Sequence, residues 1–294
     1  MIYGALEAGG TKMVCAVGDE KGNITERVTI PTKTPEETLP AIIDFFKGKR
    51  LDALGVASFG PVDPDPSSDT YGYITTTPKP GWAHYDLVGT LQRALQVPIG
   101  FDTDVNGSLL GEITYGSAKG LKDAVYLTVG TGIGGGVMTN GKLLHGMLHP
   151  ELGHMLMRPH PDDTYPGKCP FHHCCLEGMA AGPAIEERWG ARGETLSGRN
   201  EVWESEAYYL AQALTNLILT LSPKRIILGG GVMHQEQLFP MIRKEVKNML
   251  NGYIVTKEME DLDSYIVPSS LNDDQGILGC LCLAEQAVKK DTGA

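Results

Sequence analysis

AVYLTVGTGIGGGVMTNG, residues 124–141, is the stretch on which the fold turns. Ala124 to Val129 reads as a strand, and Gly130-Thr131-Gly132-Ile133-Gly134-Gly135 satisfies G-x-G-x-x-G. In a dinucleotide-binding fold those glycines open a helix whose N-terminus meets a pyrophosphate. Here they run into Gly136-Val137-Met138-Thr139 and then Asn140-Gly141, a strand closed by a hairpin turn. The context excludes the dinucleotide reading, and no G-x-x-x-x-G-K-[ST] occurs to support a P-loop. What is left is strand, glycine turn, strand, turn, strand.

The same order opens the chain. Ile2 to Leu6 reads as a strand, Glu7 to Lys12 as a glycine turn and Met13 to Val17 as a second strand. Lys21-Gly22-Asn23 then turns into a third strand, Ile24 to Ile30. The two arrays start about 120 residues apart, which reads as a duplicated domain. Between them, Thr34, Pro35 and Glu37 form a capping-box pattern at the start of a helix carrying Leu39, Ile42, Ile43 and Phe46. Ala53 to Ser58 reads as a buried strand and Pro61 to Trp82 as a long loop, a class that is often functional. A helix over 87–95, a strand over 99–103 and a helix over 105–115 follow.

The second half predicts helices over 184–189, 204–221, 235–249 and 275–287, and a strand over 225–228 that ends in Gly229-Gly230-Gly231. The expectation is an α/β protein of two domains. Residues 1–116 with 275–294 form the first and 117–274 the second. A chain of 294 residues is long enough for both.

Acidic residues outnumber basic ones, 36 to 25, for a net charge of −11, and no basic run occurs. Nucleic acid is thereby an unsuitable partner, because phosphate-backbone binding rests on clustered Lys and Arg. No stretch of 18 apolar residues marks a membrane span, and Glu7 and Lys12 interrupt any secretion signal. A cytoplasmic location is expected. Cys15, Cys280 and Cys282 sit in apolar surroundings and read as core.

Three groups of residues carry chemistry. Gly9-Gly10-Thr11 and Gly130-Thr131-Gly132 are glycine turns that let backbone N–H groups approach a phosphate, and 229–231 adds a third glycine run. Phe101-Asp102-Thr103-Asp104-Val105-Asn106 lies where a strand gives way to a helix. Asp104 there can cap the helix or take the proton of an attacking hydroxyl. His154, His160, Cys169, His172, His173, Cys174 and Cys175 crowd a short span. Two thiolates with two imidazoles make the closed tetrahedral set of structural zinc.

Duplicated phosphate hairpins with a third glycine motif resemble the actin, hexokinase and chaperone ATPase superfamily. That resemblance implies two ribonuclease-H-like domains with a cleft closing on ATP. Thr103-Asp104-Val105-Asn106 is similar to the Asn-Asp-x-Asn motif of ROK-family sugar kinases. Glu151-Leu152-Gly153-His154 with the Cys-rich segment ending Cys175-Leu176-Glu177 resembles that family's zinc motif. Cys169-Pro170-Phe171-His172 and Ser58-Phe59-Gly60-Pro61-Val62-Asp63 match its fructokinase subgroup.

The resemblance implies Asp104 as general base and Thr103, Glu151, His154 and Glu177 as sugar contacts. It implies His154, Cys169, His172 and Cys175 as ligands of a structural Zn2+. For ATP it implies Gly9, Gly10, Thr11, Lys12, Thr131, Gly132 and Pro183, with Gly231, Val232, Met233, His234 and Gln235 on the adenosine side. Glu7, where many relatives carry Asp, would face Mg2+ directly or through water. The activity implied is phosphorylation of fructose to fructose 6-phosphate by a homodimer. Glucokinase or mannokinase activity is the alternative within the family. A sugar-responsive regulator, which would add a helix-turn-helix before the first strand, and a sugar-binding protein without catalysis are the alternatives outside the enzymes.

Overall fold

The structure, a computed structural model, describes residues 1–292; residues 293 and 294, the end of the expected first domain, lie outside the described residues. The chain divides into two compact units. The first comprises Met1–Gly120, Leu143–Pro150 and the chain from Ser270 on; the second comprises Leu121–Lys142 and Glu151–Ser269. This partition differs from the expected one mainly at 143–150, which follow the second hairpin in sequence yet pack with the first unit, where His145 pairs with Asp102 and His149 with Val62.

The first unit holds β1 (Tyr3–Ala8), β2 (Lys12–Gly18), β3 (Ile24–Pro31), α1 (Pro35–Phe46), β4 (Ala53–Ser58), β5 (Tyr73–Ile74), β6 (Tyr85–Asp86), α2 (Leu87–Leu95), β7 (Ile99–Thr103) and α3 (Asp104–Thr114). The second holds β8 (Ala124–Val129), β9 (Ile133–Thr139), α4 (Leu176–Ala180), α5 (Gly182–Trp189), α6 (Asn200–Leu221), β11 (Ile226–Gly229), α7 (Leu238–Leu250), α8 (Lys257–Glu260), α9 (Leu262–Tyr265) and β12 (Ile266–Pro268). The short β10 (Lys142–Leu143) closes the second hairpin, and α10 (Gln275–Thr292) returns to the first unit.

The main sheets have matching orders, β3-β2-β1-β4-β7 and β10-β9-β8-β11-β12. In each, an antiparallel hairpin leads to parallel partners: β1 pairs with β2 antiparallel and β4 parallel, β8 with β9 antiparallel and β11 parallel. This is the ribonuclease-H-like arrangement, once per unit. The central β4 is buried at all six positions, as a strand covered on both faces must be, whereas the edge strand β3 is nearly all exposed or half-exposed.

Local sequence placed most elements and misplaced some edges. The first glycine turn is shorter than expected, because Glu7 and Ala8 still pair in β1 and Gly9 N donates to Lys12 O at 3.0 Å. The second turn closes at Gly132, where Gly130 N donates to the Gly132 carbonyl at 2.9 Å, and the later glycines belong to β9. The capping box of α1 does not form: the helix starts at Pro35, but the Thr34 hydroxyl donates to the Glu37 carboxylate instead of accepting a backbone N–H. Gly231 to His234 form a 3-10 turn and α7 begins only at Leu238, three residues past the expected start.

Helix α10 lies against β1, β4 and β7 with its backbone close to the sheet, and glycines allow it. A Cβ on Gly55 would sit 1.7 Å from Cys280 O, and one on Gly100 would sit 2.1 Å from Leu283 O. Neither neighbour is a side chain that can swing away. We expect Gly55→Ala to lower stability by about 3 kcal/mol or more through forced backbone displacement. Gly198→Ala, where nothing lies within 4 Å, should stay within about 0.5 kcal/mol of the parent. Denaturant midpoints of the two variants check this. Cys15, Cys280 and Cys282 are buried core residues, as their apolar neighbours implied.

Candidate active site and metal centre

In the first unit the acidic turn is built at the C-terminal end of β7. Thr103 is the N-cap of α3, its hydroxyl accepting from Asn106 N at 3.1 Å. Asp104 is therefore the first helical residue and not the cap, and its Oδ1 accepts from Val105 N at 2.9 Å. Behind it, Asp102 is 4% exposed and tightly held. Its Oδ1 accepts from Thr103 N at 2.8 Å and from Asn106 Nδ2 at 2.6 Å, and His145 Nε2 lies 3.0 Å from Oδ2. The Asp102 contact draws the His145 pKa above its ordinary value against the opposing effect of burial. Thr103, expected to contact sugar, is 3% exposed and spends its oxygen on the cap.

The first glycine turn sits in the same unit. Thr32 N donates to Thr11 O at 3.0 Å and the Thr32 hydroxyl donates to Gly9 O at 2.7 Å, so β3 fixes the turn from one side. Thr11 and Lys12 are exposed. Glu7, at the end of β1, has its carboxyl raised to about 7, first by burial and then by the Asp104 carboxylate. Two hard oxygen donors that repel one another make a place where a magnesium ion would be favourable.

The Glu7 shift has a consequence for stability. In the unfolded chain the group titrates near 4.5, so between pH 4.5 and about 7 the folded protein holds more protons than the unfolded one. Stability from this group is therefore present below the unfolded pKa and is lost as pH rises through the folded one. We expect Glu7→Gln, in metal-free buffer, to gain about 2–3 kcal/mol over the parent between pH 4.5 and 8. Urea unfolding across that range measures the difference, and parallel curves for the two proteins would refute it.

In the second unit three predicted nucleotide elements meet. Gly182 N, at the start of α5, donates to Gly130 O at 2.7 Å, with Pro183 next in the helix. Gly231 N lies 3.9 Å from the point a Gly130 Cβ would occupy, and a Gly182 Cβ would come within 4.0 Å of Val232. Gly230 makes the bend after β11 at φ +89°, a conformation that glycine takes without strain. Thr131, Gly231 and His234 are exposed, while Gly132, Val232 and Gln235 are half-buried. Met233 is 5% exposed, so its side chain belongs to the core and only its backbone can face a ligand.

The sugar-contact candidates of this unit are Glu151, His154 and Glu177. Glu151 is exposed, and its carboxyl is pushed above the usual range by its protein surroundings and then by Glu177. Glu177 Oε2 accepts from Ile133 N at 2.9 Å, so one of its oxygens secures the second glycine turn. That contact is tertiary and has no local sequence signal.

His154, Cys169, His172 and Cys175 bring four donor atoms within 4.8 Å of one another. His154 Nδ1 is 3.8 Å from Cys169 Sγ and 3.6 Å from Cys175 Sγ, and His172 Nδ1 is 3.7 Å from Cys169 Sγ. A tetrahedral zinc with its usual bond lengths places N and S ligands about 3.5–3.6 Å apart, so the donor set fits that ion with little movement. Cys174 is not in the cluster. The chain reverses at His173, φ +51°, and Cys175 becomes the N-cap of α4, accepting from Gly178 N.

Two residues near these groups escaped the sequence reading. His145 carries no motif of its own, and only the packing of 143–150 brings it to Asp102. Lys79 lies within the long loop and covers Gly10 of the first turn. Among the described residues no helix is long and apolar enough to cross a membrane.

Comparison with known proteins agrees with this assembly of parts. The chain is 51% identical to a putative fructokinase of Bacillus subtilis (strain 168), covering 100% of this chain and 98% of that protein. It is 47% identical to a fructokinase of Pediococcus pentosaceus over 98% of this chain and 99% of that one. The crystal structure of a ROK hexokinase from Thermus thermophilus superimposes with a TM-score of 0.81 at 26% identity, over 99% of this chain and 100% of that one. The ROK family profile matches residues 3–287. With two ribonuclease-H-like sheets, paired glycine turns and a match along nearly its whole length, the chain belongs to the ROK family.

Proposed function

We propose that the chain is an ATP-dependent fructokinase that transfers the γ-phosphoryl group of MgATP to D-fructose, giving fructose 6-phosphate and ADP. The observation that carries the reading is full-length similarity, at 51% and 47% identity, to proteins named as fructokinases. The acidic turn and the glycine turns give that similarity a chemistry. Phosphoryl transfer asks the protein for positioning, charge balance and a carboxylate at the attacking hydroxyl. In this reading the sugar oxygen bonds to the γ-phosphorus as the bond to the β,γ-bridging oxygen breaks, and Asp104 takes the hydroxyl proton.

Gly9 to Lys12 and Thr131-Gly132 hold the phosphates, and Pro183 with Gly231 to Gln235 receives the adenosine. Glu151, His154 and Glu177 hold sugar hydroxyls, while Thr103 holds the helix that presents Asp104. Glu7 would face the magnesium ion, which when bound with the nucleotide supplies charge neutralisation at the β- and γ-oxygens. His154, Cys169, His172 and Cys175 would hold one structural zinc, fixing the loop between Glu151 and Glu177. On the family resemblance the reading extends to a cytoplasmic homodimer.

A coupled ADP-release assay across fructose, mannose, glucose and N-acetylated hexosamines tests the proposal. Fructose should exceed every other sugar in kcat/KM by at least about tenfold, a difference of about 1.4 kcal/mol in transition-state binding. Preference for glucose or mannose would move the protein to the neighbouring activity. No sugar-dependent ADP release would reject the kinase reading.

A further inference from the structure

The loop from Pro61 to Trp82 carries a lysine that the proposed mechanism leaves unused. Lys79 is half-buried and packs on Gly10: a Cβ built on that glycine would lie 2.6 Å from Lys79 Cε and 3.2 Å from its Nζ. Among the described residues no carboxylate pairs with the Nζ and no side chain or carbonyl accepts from it. Its Nζ keeps access to solvent, so the ammonium is uncommitted and can meet a bound anion. Here it rests on the turn proposed to hold phosphate.

This placement is fixed by tertiary contacts. Trp82 is fully buried, its ring edge-on to Phe59 at 5.8 Å and to Tyr85 at 5.6 Å. Its Nε1 donates to Lys33 O at 2.6 Å, and its backbone N donates to Lys79 O at 3.2 Å. Thr32, the residue before Lys33, donates its hydroxyl to Gly9 O and its amide to Thr11 O. Two consecutive residues, Thr32 and Lys33, thus clamp the glycine turn on one side and the tryptophan turn that carries Lys79 on the other. The clamp sets the backbone of the Lys79 segment beside the glycine turn, and the Lys79 side chain extends over Gly10.

We propose that Lys79 is a catalytic residue of the phosphoryl transfer, its ammonium donating to oxygens of the terminal phosphate that the first glycine turn receives. This deepens the fructokinase reading and rests on it. As the bond to the bridging oxygen breaks, negative charge moves onto oxygens that a fixed cation stabilises. Lys79 keeps all its protons throughout, and the hydroxyl proton goes to Asp104.

The test uses the full-length, zinc-loaded protein with Lys79→Met and Lys79→Arg. Steady-state kinetics and calorimetric affinities for ADP and a non-hydrolysable ATP analogue are measured, each with magnesium. Lys79→Met should lower kcat by about 10²-fold, the usual effect of removing one charge-stabilising donor. It should weaken the ATP analogue by about tenfold, leave ADP within twofold, and be partly rescued by Lys79→Arg. Wild-type kcat in Lys79→Met, or equal losses for ADP and the ATP analogue, would overturn the assignment. If Lys79→Met does not fold, Lys79→Gln replaces it under the same criteria. If the parent enzyme phosphorylates no sugar, the fructokinase reading fails, and the contrast between the two nucleotides still decides whether Lys79 meets the terminal phosphate.

Discussion

Asp104→Asn is expected to lower kcat by about 10²–10⁴-fold or more, the range that a positioned base contributes, while nucleotide affinity stays within a few-fold. The substitution is conservative because the cap of α3 and the contact with Val105 do not need the charge. Thr103 supplies the cap of α3, so the helix start survives, and an Asn Oδ1 can still accept from Val105 N. Asp102, Asn106 and His145 form their own hydrogen-bonded group behind the turn and do not need the Asp104 proton-accepting oxygen. Loss of the Asp104 charge relieves its repulsion of Glu7, so a fall in kcat without a fall in the denaturation midpoint reports chemistry and not folding. Residual activity within tenfold of the parent would remove Asp104 from the role of base.

Cys175→Ser is expected to abolish metal binding and to lower the melting temperature by about 10 °C, the shift for a loss of about 3–5 kcal/mol at about 2–4 °C per kcal/mol. The variant separates two duties of this side chain. As N-cap of α4 the sulfur accepts from Gly178 N, and a serine hydroxyl does this at least as well. As a metal ligand it must be a thiolate, which serine cannot replace at neutral pH. Metal analysis of the parent should give about one zinc per chain, as one closed four-ligand site requires, and the variant close to none. Chelation of the parent should reproduce the loss. A metal-free parent of full activity and unchanged melting temperature would contradict a structural zinc.

How much of this molecule the sequence carries depends on the range of the physics involved. β4, α2, β7 and β8 were legible to the residue because each is a short apolar run or periodic stretch bounded by its own turn residues. The failure of the dinucleotide pattern was legible as well, since it needed only the residues directly after Gly135. The α1 capping box failed for a reason the local pattern does not contain. Thr34 Oγ1 turned to the Glu37 side chain, while Thr38 Oγ1 took Lys33 N.

The sequence by itself determined the duplicated hairpins, the chemistry available at Asp104 and the composition of the Cys and His cluster, because these are properties of residue type and near spacing. Tertiary structure alone decided that Thr103 caps the helix while Asp104 is left to its own contacts. It also decided that Glu177 supports the second glycine turn from 44 residues away, that His145 stands behind Asp102, and that Lys79 lies on Gly10. Those contacts join segments far apart along the chain, and their partners are selected by packing and hydrogen-bond satisfaction in three dimensions, which no local pattern records.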